Sequence, residues 1–221
     1  MWFVNLPLLL PRQAKKIISS SIIEDIKALR EAKSACLAYF YFDFRDKDKR
    51  DHRSLILSIL CQLSAQSDLC CGILSRLYSR HEFQCGEQNL SDDVLIRCLK
   101  DMLSVLAQGP VYLIFDALDE CPDSFGLPTA REGVLDLIND LVTLRFPNLH
   151  ICVTSRPEID IQIALEPLTS LRVSLHNQSG QKKDIVDYVR SVVRSDKKMR
   201  RWREEDRKLV IDILSRRADG M

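Results

Sequence analysis

The chain has 221 residues, 46% hydrophobic, 29% charged and 7% aromatic, with 32 Lys+Arg against 31 Asp+Glu. That size and apolar content suit one globular domain with a full core. A net charge of +1 gives no dominant basic field, so no nucleic-acid partner is expected. The longest unbroken apolar stretch, Ala35 to Phe42, is too short to span a bilayer. In the apolar start MWFVNLPLLLP the charges Arg12, Lys15 and Lys16 follow rather than precede the greasy segment, the reverse of a secretory signal. No membrane partner is therefore expected. Eight cysteines occur without a C-x-x-C pair, and Cys36 and Cys152 lie in apolar runs where a reduced thiol acts as a small hydrophobe, which points to a reducing cytoplasmic setting.

Apolar periodicity then supplies the elements in chain order. Ile22/Ile23, Ile26 and Leu29 recur at helical spacing and lead into SACLAYFYFDF, a helix feeding a buried strand. Ile56, Ile59/Leu60 and Leu63 mark a helix with Ser54 as candidate cap, followed by a shorter helix from Leu69 to Tyr78. Leu95, Cys98/Leu99, Met102 and Leu106 give another, capped near Ser91. In GPVYLIFDALDEC the run VYLIF reads as a central strand buried on both faces. A helix through Val134, Ile138 and Leu141 precedes a second buried strand, LHICVTS. A weaker strand LRVSL from Leu171 and helices around Ile185–Val193 and Leu209–Leu214 complete the chain. Strands separated by crossover helices predict an α/β fold with a mainly parallel sheet, whose ligands sit beyond the carboxyl ends of the strands.

Two strand ends carry chemistry. Asp116, Asp119 and Glu120 follow VYLIF; an acid cluster there can hold Mg²⁺ through water and polarise an attacking water, and it reads equally as a strand ending in solvated acids. Thr154, Ser155 and Arg156 follow LHICV, where the guanidinium suits a phosphate or pairs with an acid. Cys70, Cys71, His81 and Cys85 have four ligand types in a short span, but adjacent cysteines seldom both ligate one zinc. Cys152 lacks an activating cation and makes a poor nucleophile.

The segments IFDALDEC, VTSRPE, SSSIIEDI before YFYFDF, and DIVDYV together resemble the NACHT domains of fungal NLR-type proteins, also described as nephrocystin-3-like N-terminal domains. These are STAND-class P-loop NTPases, switches that bind ATP and Mg²⁺ and change assembly state. The resemblance implies a P-loop NTPase-like three-layer αβα fold with a mainly parallel sheet. It implies a degenerate first strand and P-loop region over 1–16, an NTPase core over 17–178 and C-terminal helices over 179–221. It also implies Asp116 as the metal ligand, Asp119 and Glu120 as the acids that polarise water, and Lys15 and Arg156 as phosphate-binding groups. Protein partners or self-association follow from the switch role.

The departure from the family lies in the loop. A P-loop needs G-x-x-x-x-G-K-[ST], because glycines let successive N–H groups curl around phosphate. Here the register reads Leu9-Leu-Pro-Arg-Gln-Ala-Lys15-Lys16, with Leu9 and Ala14 at the glycine positions and Lys16 at the hydroxyl position. Impaired ATP binding and hydrolysis are therefore expected. The chain ends short of the winged-helix and repeat modules of such proteins, and the sequence reads as a core without its flanking effector and repeat modules. A nucleotide-independent interaction module and a non-functional fragment are the alternative readings.

Overall fold

The computed structural model describes residues 2–4, 15–85, 90–106, 109–123, 129–172, 179–196, 199 and 202–217. The chain forms two compact units, Met1–Val173 and Ser174–Met221. In the first unit the order is β1 (Trp2–Val4), α1 (Lys15–Glu31), β2 (Cys36–Tyr41), α2 (His52–Ser64), α3 (Asp68–Cys85), α4 (Asp92–Val105), β3 (Val111–Asp116), α5 (Ala130–Thr143), β4 (Leu149–Val153), α6 (Ile159–Leu165) and β5 (Leu171–Arg172). In the second, α7 (Ser179–Ser195) and α8 (Glu204–Arg217) pack against each other.

The sheet order is β2-β3-β4-β1-β5. Strands β2, β3 and β4 are mutually parallel, while β1 runs antiparallel to both β4 and β5. The fold is thus α/β with a mainly parallel sheet, as its alternating strands and helices predict. Continuous apolar runs fill its centre because both faces of β3 are covered. On one face Val111, Leu113 and Phe115 join Ala38 and Phe40 of β2, Leu149, Ile151 and Val153 of β4, and the buried stripes of α2, α4 and α5 in one core. Residues of the other parity, Leu37, Ile114 and Cys152, are also buried, on the face against which α1 carries Ile23 and Ile26. Helices therefore cover the sheet on both sides, in three layers.

Several local details differ from the sequence reading. The cap of α2 is Asp51, whose carboxylate accepts from the Ser54 backbone N–H at 2.8 Å and from the Ser54 hydroxyl at 3.0 Å. Ser54 is thus the capped residue rather than the cap. Ser91 does occupy the N-cap position of α4. Helix α3 extends over 18 residues, longer than the Leu69–Tyr78 periodicity indicates. The strand from Leu171 is described only over Leu171–Arg172. Helix α6 has no counterpart in the sequence reading. It spans seven residues, buries Ile161 and Leu165, and leaves Ile159 and Ile163 largely exposed. Two buried residues within so short a span fall below what periodicity can register.

Candidate functional site at the carboxyl ends of β3 and β4

The crossovers place the ends of β3 and β4 side by side, with Phe115 opposite Val153. One residue further along β3, Asp116 is buried, at 7% exposure. Its Oδ1 accepts two hydroxyls, Ser19 Oγ of α1 and Thr154 Oγ1 after β4, each at 2.5 Å. A buried carboxylate needs such donors, since desolvating it without partners is costly. Ser19 is fully buried and Thr154 nearly so, which makes this a closed three-element junction between α1, β3 and the end of β4.

The backbone beyond Asp116 turns sharply. Ala117 adopts φ 57°, ψ 48°, a left-handed conformation unusual for a residue with a Cβ, and leads into a 3-10 turn at Leu118–Glu120. Thr154 fixes this turn: its Oγ1 accepts from Ala117 N–H at 2.9 Å and its carbonyl accepts from Leu118 N–H at 2.9 Å. Replacing Ala117 with glycine is expected to raise stability by about 0.5–1 kcal/mol, the relief of the Cβ penalty less the added freedom of the unfolded chain. Urea midpoints of the two proteins measure it, and a loss of stability would show that the Cβ packs favourably enough to outweigh the strain.

Asp119 and Arg156 come together. The Asp119 carboxylate accepts from the Arg156 backbone N–H at 2.8 Å and lies 3.2 Å from its Nε. The Asp119 side chain is 9% exposed and that of Arg156 is 74% exposed, so the acid is anchored while the guanidinium reaches solvent. Glu120 is half-buried and within electrostatic reach of Arg45. Lys15 is the first residue of α1; its side chain and the segment 5–14, with Leu9 and Ala14, lie outside the described residues.

Arg131 joins the site without leaving a mark in the sequence. This side chain, 5% exposed at the start of α5, donates from Nη2 to the Asp119 carbonyl at 2.9 Å and from Nε to the Cys121 carbonyl at 2.8 Å. Its Nη1 bonds Glu158 and, at 3.1 Å, Asp160. One guanidinium thus ties the acidic turn to α5 and to the start of α6.

Among the described residues the cysteines give no second centre. Burial pushes Cys152 and Cys121 up to about 12, so both are neutral thiols, in line with the weak case for a nucleophile. Cys70 is buried and Cys71 exposed on α3, while the His81 and Cys85 side chains lie outside the described residues. Among the described residues no group of three or more His, Cys, Asp or Glu is arranged for a metal ion.

A buried acid at the end of a central strand, a hydroxyl from the first helix and polar groups from the adjacent strand mark the carboxyl edge of a three-layer α/β domain. The chain belongs to the family described as nephrocystin 3, N-terminal, whose model matches residues 10–156. None of the curated proteins matches the chain. A solved structure that it resembles is that of the ORC1 protein of Aeropyrum pernix in complex with DNA, at a TM-score of 0.40 and 15% identity, covering 91% of this chain. The chain spans 50% of that structure's length. The expectation of no nucleic-acid partner is not kept. The ORC1 protein is in complex with DNA, and a whole-chain net charge, which sums over all faces, is withdrawn as a ground for excluding nucleic acid. Among the described residues no helix is long and apolar enough to cross a membrane.

Proposed function

We propose that the chain is a nucleotide-binding switch domain of the NACHT, STAND-class kind, with its affinity for ATP lowered by its loop sequence. The observation that carries this reading is the Asp116 junction, where a hydroxyl from α1 and another from the end of β4 converge on one buried carboxylate. In this reading Asp116 would hold Mg²⁺ through water, Asp119 and Glu120 would polarise a water, and Lys15 and Arg156 would face phosphate. The oxygen donors at Asp116 suit Mg²⁺. The phosphate half does not fit. Leu9 and Ala14 replace the two glycines whose backbone freedom a phosphate cradle requires. Strand β1 also runs opposite to the direction in which a strand would deliver that loop to the start of α1. An anion approaching Arg156 would further compete with Asp119, which holds its Nε and its backbone N–H.

The free thiols Cys36, Cys61, Cys70, Cys71, Cys98, Cys121 and Cys152 support a reducing, cytoplasmic setting for this switch. Titration calorimetry with Mg-ATP tests the proposal. The expected result is binding weaker than about 10 μM that is lost in Lys15→Ala and in Asp116→Ala. Sub-micromolar affinity would overturn the impairment, and silence at millimolar nucleotide would overturn the nucleotide reading altogether.

A further inference from the structure

Strand β2 lies at the edge of the sheet, and its sequence, Cys36-Leu-Ala-Tyr-Phe-Tyr41, is apolar or aromatic throughout, with no charge and no proline. A six-residue stretch of that composition, left open at a sheet edge, is a template for pairing with another chain. The inward edge of β2 is satisfied by β3, with which it is in parallel register from Cys36 to Tyr41. Cys36 N–H donates to the Pro110 carbonyl at 2.9 Å, and beyond the strand's end Phe42 N–H donates to the Asp116 carbonyl at 3.0 Å. Residues of the other parity present their N–H and C=O groups outward, Leu37 and Tyr39 within the strand and Tyr41 at its last position.

Those of Leu37 and Tyr39 are taken by two glutamine side chains. Gln66 accepts from Leu37 N–H at 3.0 Å and donates to the Leu37 carbonyl at 2.7 Å. Gln62 accepts from Tyr39 N–H at 3.1 Å and donates to the Tyr39 carbonyl at 2.8 Å. Each carboxamide therefore reproduces the N–H and C=O pair that a neighbouring strand would offer. The match of spacing is geometric. Four residues along a helix advance about 6 Å and two along a strand about 6.6 Å, so positions 62 and 66 meet positions 39 and 37 in turn. The amides are themselves held in place: Gln62 Nε2 lies 3.0 Å from Ser58 Oγ, and Gln66 Nε2 also donates to the Gln62 carbonyl at 2.7 Å.

We infer that Gln62 and Gln66 form an edge lock, a side-chain imitation of a sixth strand that keeps β2 from pairing with β2 of a second copy of the chain. The lock needs both the donor and the acceptor of each amide, so methionine, of similar length and shape, removes the function while keeping the bulk.

The test combines amide hydrogen exchange with light scattering on the full chain. In the wild-type protein the outward amides of Leu37 and Tyr39 are expected to be protected to the same degree as the inward amides of Ala38 and Phe40. In Gln62→Met/Gln66→Met the two outward amides are expected to exchange roughly tenfold faster or more in dilute solution. On concentration, the double variant is expected to gain mass by association and to recover protection at Leu37 and Tyr39. Unprotected outward amides in the wild-type protein would overturn the lock without any variant. A double variant that folds and keeps both the wild-type mass and the wild-type protection would overturn it as well.

Discussion

Replacing Arg131 with methionine is expected to lower stability by about 3–5 kcal/mol, a fall of about 10 °C or more in the melting temperature of a chain this size. Methionine keeps much of the length of the side chain but none of its donors. The carbonyls of Asp119 and Cys121 would lose their partners, at 2.9 and 2.8 Å, in a site where the arginine is only 5% exposed. An unsatisfied buried acceptor costs about 1–3 kcal/mol, and two are created at once. Glu158 and Asp160 would lose the cation between them, although their side chains, 40% and 45% exposed, can rehydrate and limit that part of the loss. Arg131→Lys should recover the charge without the fork and fall between the two, because an ammonium cannot reach both carbonyls and both carboxylates in one plane. Chemical denaturation of the three proteins measures the series. A loss below about 1 kcal/mol for the methionine variant would mean that the acidic turn does not depend on this side chain.

The strands around the site were legible because burial on both faces leaves an unmistakable mark. VYLIF and LHICV are apolar without alternation, and Asp116 and Thr154 follow them directly. What joins those ends was harder to read. Ser19 sits in a run of three serines, and only its spacing from Ile22/Ile23 and Ile26 on the buried stripe of α1 distinguishes it from its neighbours. That signal was present in the sequence and points to a hydroxyl facing the sheet. Arg131 left no such trace. A charged residue at the start of a helix reads as a solvated end, and its burial depends on carbonyls and acids contributed by two other segments. Gln62 and Gln66 likewise read as the polar side of α2, since nothing local says that this side lies along a strand edge. The direction of β1 is equally silent in sequence. Three apolar residues specify an extended segment, but parallel and antiparallel pairing use the same side-chain alternation.

Truncating Phe115 to alanine is the second large effect, expected to cost about 3–5 kcal/mol. Phe115 is fully buried on the central strand and belongs to the core that joins β2, β3 and β4 to α2, α4 and α5. Close packing on every side leaves little room for the cavity to collapse, which puts the loss toward the upper part of that range. The same residue also couples packing to the site. Its carbonyl accepts from Thr154 N–H at 2.9 Å, and the next residue along the chain is Asp116. A cavity under this peptide would loosen the junction at which Ser19 and Thr154 meet the carboxylate. The variant is therefore expected to lose amide protection at Ala117 and Leu118, whose N–H groups are held by Thr154, in addition to global stability. Phe115→Leu, which fills most of the space, should lose less than half as much stability and keep that local protection. Equal global losses in the two variants, or a local protection pattern that alanine leaves untouched, would separate the core from the site and show that the acidic turn is held by its hydrogen bonds alone.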